Sequence, residues 1–376
     1  MENPFVIKGY VAKEYFCDRE KETAKLIDRA IGGGDSTVIS PRRYGKSGLV
    51  LHTLDTIKQE HPEYSTLYTD IYSTSSLNDF IDCISSTIME TFSGKSSAGK
   101  RFLSFIKSLR PFLSFDQMTG NPQVHFEISS STQKEKTLKD IFELLGSFSK
   151  PIIFAIDEFQ QITEYPEKNV EALLRTYTQN LHNVRFIYCG SKRRLMSSIF
   201  NDATRPFYAS SESLYLEKLD RKVYSRFIVD TFSKAGRTIG QDAVDFILDW
   251  SRVHTYYTQR ICHNIFNTGE HKITIDLVRT VCNDILDSES FNFLQLRDIL
   301  PTQQWRFLIA IAKEQKASQI SSGAFFSKYG IGSAASSARA AKALEDKELV
   351  LKTLSKDSSY YEVYNVFFSR WLEREY

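Results

Sequence analysis

Residues 36–60, "STVISPRRYGKSGLVLHTLDTIKQE", set a short apolar run, a loop marked by proline and glycine, and a helix-periodic segment end to end. In the last part Leu49, Leu51, Leu54 and Ile57 carry the apolar spacing of a helix. Gly45, Lys46 and Ser47 fall at the turn from strand to helix, where a phosphate-binding loop of the form G-x-x-x-x-G-K-[ST] belongs. A strand that runs straight into a helix does not pair with its sequence neighbour through a hairpin, so this unit calls for parallel partners.

The N–H groups of residues 43–48 are expected to form an anion nest, helped by the helix dipole. The candidate loop runs through Pro41, Arg42, Arg43, Tyr44, Gly45, Lys46, Ser47 and Gly48. Gly45 lets the backbone approach phosphate, Lys46 reaches the β- and γ-phosphates, and Ser47 ligates Mg²⁺. One position departs from the pattern: Ser40 replaces the first glycine. A serine is harmless there at negative φ and costs about 1–2 kcal/mol if the turn needs φ > 0. Alone, G-K-S is equally compatible with a chance basic turn.

Context favours the phosphate loop. "STLYTDIY" (65–72), "PIIFAIDEF" (151–159), "NVRFIYCGS" (183–191) and "ESLYLEKL" (212–219) read as further strands, and "SLNDFIDCISSTIMETF" (76–92) as a helix between two of them. The alternation predicts an α/β core with a parallel sheet and helices on both faces. Residues 93–136 break the rhythm: a polar loop "SGKSSAGK", a basic helix "RFLSFIKSLR" and a hairpin around T-G-N-P suggest an insertion at the sheet edge.

Asp157 and Glu158 end the strand "IIFAIDEF", at the edge where parallel sheets bind ligands. Asp157 is expected in the Mg²⁺ shell and Glu158 as the general base that polarises water; the bland reading is an acidic turn. Ser191 closes the next strand, placed to contact the γ-phosphate or water. Lys192, Arg193 and Arg194 follow it, with Arg205 further on. Arg193, Arg194 and Arg205 are candidate arginine fingers, within one protomer or across to a neighbour, or else solvated charges.

After residue 219 the strands stop. Four helical patterns fill 220–290, and 291–376 reads as three helices followed by "LVLKTL" and "YYEVYN", the order of a winged helix. The expected domains are therefore a core at 1–219, a helical lid at 220–290 and a winged helix at 291–376.

At this point the chain resembles the archaeal-type ATPase family of P-loop proteins, within the AAA+/STAND assemblage. The resemblance rests on "FCDREKE" (Phe16, Arg19, Glu20, Glu22), "SPRRYGKS", "IDEFQ" and the closing "YEVYNVFFSRW" (Tyr361–Trp371). It implies a helical lid, a winged helix, ATP or ADP as ligand, and slow, switch-like hydrolysis. It also implies that Phe16 and Arg19 border the adenine and that His254 of the lid faces the nucleotide. Relatives carry a "G-h-P" lid turn where this chain has "VHTYY", with Thr255 for the proline, and an Asp-Pro pair where it has "YNVFF".

Charge bears on the remaining classes. The whole chain balances 48 Lys+Arg against 46 Asp+Glu, giving 48 − 46 = +2, so composition points to no nucleic-acid or membrane partner. Residues 291–376 hold 12 Lys/Arg and 9 Asp/Glu, or 12 − 9 = +3, which is mild for a DNA-binding module. Ser337, Arg339 and Lys342 are the candidate DNA contacts; packing on the ATPase, a protein partner or another copy is the rival use. A nucleotide-bound scaffold without turnover is a third reading, against which Glu158 argues. The five cysteines form no C-x-x-C pair and are expected buried and free in a reducing cytoplasm. The seven histidines show no metal spacing, and neither a signal peptide nor an apolar membrane span is expected.

Overall fold

The computed structural model describes residues 2–92, 100, 102, 104–105, 112–115, 120, 122–128, 130–354 and 359–376. The loop read at 93–100, the helix read at 101–110 and the turns at 119–122 and 355–359 lie for the most part outside the described residues. The chain divides into two units, Lys8–Leu219 and Met1–Ile7 with Asp220–Tyr376.

In the first unit β1 (Ser36–Ile39), β2 (Ser65–Asp70), a separate hairpin of β3 (Phe112–Phe115) and β4 (Pro122–His125), β5 (Ile152–Asp157), β6 (Val184–Gly190) and β7 (Glu212–Tyr215) follow in order. The main sheet is parallel with order β2-β5-β6-β1-β7. Every residue of β5 is buried, as a central strand covered on both faces requires. Its alternate side chains divide between two cores. Ile153 and Ala155 pack with Leu26, Leu49 and Ile57. Ile152, Phe154 and Ile156 pack with Phe80, Phe142 and Phe186. Adjacent strands in register carry Asp70 level with Asp157.

The insertion corrects one expectation. The β3–β4 hairpin is a sheet of its own. It docks on the helix Leu77–Phe92, not on the sheet edge. Polar side chains of that helix bind its backbone: Val124 N–H donates to Ser86 Oγ (2.9 Å), Phe126 N–H to Asp82 Oδ1 (3.0 Å), and Asn78 Nδ2 to the Phe126 carbonyl (3.1 Å).

The second unit opens with the helices Arg221–Lys234, Gln241–Trp250, Thr255–Asn267 and Ile275–Ile299. Strands do not end at 219: β8 (Thr238–Ile239) and β9 (Lys272–Ile273) form a short parallel pair between these helices. Thr302–Glu314, Gly323–Tyr329 and Ala334–Asp346 then precede an antiparallel hairpin of β10 (Val350–Leu354) and β11 (Ser359–Val363), and a last helix, Val366–Glu375. The boundary expected at 290/291 falls inside the continuous helix Ile275–Ile299.

The N-terminal segment was read with the core, but it belongs here. Phe5 is 1 % exposed, with its ring 4.6 Å from Phe232 and 6.4 Å from Phe266. Asn3 Nδ2 donates to the His263 carbonyl (2.9 Å) and to Asn267 Oδ1 (2.8 Å). Burying one large ring beside two others offsets much of the cost of ordering this segment.

Candidate nucleotide site

β1 ends at Ile39, and Ser40 continues its line. Ser40 is fully buried, its N–H donates to the Gly190 carbonyl (3.5 Å), and its hydroxyl to the Pro41 carbonyl (3.1 Å). The left-handed positions of the loop are Arg43 (φ 67°) and Gly45 (φ 86°). The missing glycine thus falls where no positive φ is needed; Gly45 takes its left-handed φ without cost, and the strain of the other falls on Arg43, two residues earlier. Gly45 caps the helix Lys46–Glu60, whose first turn carries Lys46, Ser47 and Gly48. Arg43 is exposed, Arg42 half-buried, and Pro41 and Tyr44 are buried.

Lys46, 6 % exposed, pairs with Asp157 Oδ1 and with Glu158 Oε1 (3.1 Å). Ser47 Oγ donates to Asp157 Oδ2 (2.5 Å), and the Glu158 N–H to Asp157 Oδ1 (2.8 Å). Glu158 stands at φ 54°, another left-handed residue, and its Oε2 accepts from Gln160 Nε2 (2.5 Å) and Ser191 Oγ (2.7 Å). The loop, the end of β5 and the end of β6 therefore meet through side chains 111 to 112 residues apart in the Lys46 contacts alone.

Burial works to raise the carboxyls of Asp157 and Glu158, yet both stay below the usual carboxylate range. For Asp157 the opposing causes are Lys46, Ser47 and the Glu158 N–H; for Glu158 they are Lys46, Gln160 and Ser191. Burial would lower Lys46, but Asp157 and Glu158 hold it above its ordinary value. The site is a buried cation clasped by two anions.

Phe16 lies across the start of the same helix. Its ring stacks on His52 at 4.3 Å, and a methyl placed on Gly48 would meet it at 3.6 Å. His52 is buried and also bonds the Tyr10 hydroxyl (3.1 Å). Arg19, at φ 80°, is buried and tied to Glu22 Oε1 (2.7 Å) and to the Glu217 carbonyl (2.5 Å). Arg193 and Arg194 are exposed at the start of the helix Arg193–Asn201. Arg205 is half-buried in an ion pair with Glu171, so it is already engaged within its own unit.

In the second unit His254 is buried before the helix Thr255–Asn267, edge-on to Tyr257 at 4.6 Å. Val253 holds φ 55° at the glycine position of the relatives' turn, and Thr255 starts the helix where they carry proline. Asn365 caps the helix Val366–Glu375 by accepting from the Phe368 N–H (3.2 Å), as aspartate does at that position. At these three positions this chain therefore has a left-handed turn, a helix start and a helix cap.

The winged-helix candidates separate. Arg339 and Lys342 are exposed on the helix Ala334–Asp346. Ser337 is 0 % exposed, on the inward face with Ala340, Ala341 and Leu344, so it is withdrawn as a DNA contact. Sequence reasoning missed Tyr68, whose hydroxyl donates to Asp157 Oδ2 (3.0 Å), and gave no role to Gln160 of "IDEFQ". Register alone could have pointed to Tyr68, two residues before the end of β2.

Fold and site together define the class: a parallel-sheet P-loop ATPase fold with a C-terminal winged helix, resembling archaeal-type ATPases. The domain family described as "Probable winged helix domain" matches residues 291–374. The Walker-type ATPase of Pyrococcus abyssi superposes with a TM-score of 0.67 at 17% identity, over 98% of this chain and 99% of that one. The Aeropyrum pernix ORC2 protein, solved as ADPNP–ADP complexes, gives 0.57 at 13% over 99% and 98%. The Aeropyrum pernix ORC1 protein in complex with DNA gives 0.52 at 11% over 96% and 93%. No curated protein matches the chain. Among the described residues no helix is long and apolar enough to cross a membrane.

Proposed function

We propose that the protein binds ATP with Mg²⁺ and hydrolyses it slowly, as a nucleotide-driven switch. The carrying observation is the convergence of Lys46 and Ser47 with Asp157, Glu158 and Ser191 at one sheet edge. The donor set suits a small hard cation: a hydroxyl and a carboxylate 2.5 Å apart, already facing a positive charge on Lys46. Ser47 Oγ and Asp157 Oδ2 supply the one or two protein oxygens by which Mg²⁺ is held, with phosphate and water completing its shell. When bound, Mg²⁺ supplies charge neutralisation on the phosphates.

The chain's own residues do the rest. Lys46 leaves Glu158 for the phosphates, which frees Oε1 to take a proton from the attacking water. Ser191 and Gln160 keep hold of Oε2, so the base stays oriented. Positioned general bases contribute about 10²–10⁴ in rate. Glu158→Gln is therefore expected to lower ATP turnover about a hundredfold or more while nucleotide binding stays within a few-fold. Equal turnover in both proteins would remove Glu158 from the mechanism. The lid at 220–290 and winged helix at 291–376 are the parts we assign to reading the nucleotide state, with His254 on the lid side and a protein partner or second copy as receiver. Arg193 and Arg194 are the arginines we assign to charge stabilisation. The cytoplasm is the compartment we assign, on the five free cysteines.

A second reading, nucleotide-dependent DNA binding, is favoured by the shared exposure of Arg339 and Lys342. A low-salt duplex shift lost in Arg339→Ala/Lys342→Ala supports it, and no shift in the intact protein ends it.

A further inference from the structure

Asp157 is the most heavily donated acceptor in the candidate site. Oδ1 takes Lys46 and the Glu158 N–H; Oδ2 takes Ser47 and Tyr68. On the ATP–Mg²⁺ reading, on which this inference rests, two of the four are mobile partners. Lys46 has its own task at the phosphates and Ser47 at the metal. What remains is one donor per oxygen: a backbone N–H fixed by the left-handed turn at Glu158, and the hydroxyl of Tyr68.

We infer that Tyr68 is a positioning residue for the metal-holding carboxylate of Asp157. It reaches across from β2, the strand paired in register with β5, and a rigid ring carries its hydroxyl. A phenol is neutral at working pH, so the Tyr68 hydroxyl stands as an O–H donor to Asp157 Oδ2. A hydroxyl bond to an anion stabilises the charged form, and it fixes which lone pair of Oδ2 faces the cation. Outer partners of this kind set the affinity of the metal ligand they touch. Tyr68 does not touch the nucleotide in this assignment, so its removal affects the metal requirement and leaves metal-free binding alone.

The test titrates MgCl₂ into the full-length protein with a fluorescent, non-hydrolysable ATP analogue, for wild type and Tyr68→Phe. In Tyr68→Phe, binding of the analogue without metal is expected within twofold of wild type. The Mg²⁺ concentration for half-maximal enhancement is expected to rise about tenfold, the effect of one hydrogen bond to a charged group. Unchanged half-saturation overturns the assignment while leaving the ATP–Mg²⁺ reading in place. Loss of metal-free binding in Tyr68→Phe also overturns it, since the role would then be structural. A wild type whose nucleotide binding ignores Mg²⁺ overturns both.

Discussion

Lys46→Ala is expected to destabilise the Lys8–Leu219 unit by about 3–5 kcal/mol and to remove nucleotide binding, which makes it the costliest single change in the site. The first effect does not depend on any ligand. Asp157 is 1 % exposed and Lys46 6 %, so deleting the ammonium leaves a buried carboxylate whose charge is met only by neutral donors. The pH dependence should then change sign. In the wild type Asp157 lies below its usual range, so its contribution is present above the unfolded carboxylate value near ~4 and is lost as pH falls through the lower, folded value. In Lys46→Ala burial is left as the main influence and raises that carboxyl. The folded state then binds the extra proton, and stability falls as pH rises through the raised value. Urea unfolding followed by circular dichroism at pH 4.5 and 7.5 checks this. The penalty should be larger at pH 7.5, and equal penalties would show that the Lys46–Asp157 pair is not what holds the site.

Trp371→Ala should cost about 3–5 kcal/mol in the other unit, the range for truncating a large buried aromatic. Trp371 is 2 % exposed, and its ring lies 5.7 Å from Phe293, 6.2 Å from Phe368 and 6.3 Å from Trp305. Its indole N–H donates to Ser290 Oγ (3.0 Å), on the long helix Ile275–Ile299. The same closing helix holds the turn before His254. Arg252 Nη2 donates to Ser369 Oγ (2.8 Å) and Glu373 Oε1 (2.9 Å), and Arg370 binds the carbonyls of Trp250 (3.0 Å) and Asp249 (3.1 Å). The helices before residue 300 and the winged helix should therefore lose structure in one transition. Trp371→Ala/Trp305→Phe and Trp371→Ala/Trp250→Phe leave one tryptophan each, Trp250 at the end of the helix Gln241–Trp250 and Trp305 in the helix Thr302–Glu314. Coincident fluorescence transitions at lower denaturant are expected; two separated transitions would show that the halves are independent.

Much of the core was readable because its chemistry is local. "IIFAID" is apolar at every position, which only a strand buried on both faces tolerates, and the strand–G-K-S–helix unit carries its turn residue within it. Other features depend on geometry that no short segment encodes. The Tyr68–Asp157 bond follows from strand register, and Ser337 turned inward because helix phase, not residue type, decides its face. Ser40 was read as a departure in composition, whereas the left-handed turn had passed to Arg43 and Gly45. The change in character near residue 291 is real in sequence, yet one helix runs through it because Phe293 and Ser290 are both needed by Trp371.

The placement of Met1–Ile7 has a consequence for how the chain is made. Phe5 finishes its packing only against Phe232 and Phe266, after all of Lys8–Leu219 has been synthesised. At ribosomal rates of ~5–20 residues per second that is a wait of roughly 10–40 s, during which the core unit can already close. The segment is made before Lys8–Leu219 yet seated after it, through ring contacts 227 (232 − 5) and 261 (266 − 5) residues away in sequence. A nascent chain stalled before Phe232 would display Phe5 to solvent, where a chaperone or protease meets it before its own fold does.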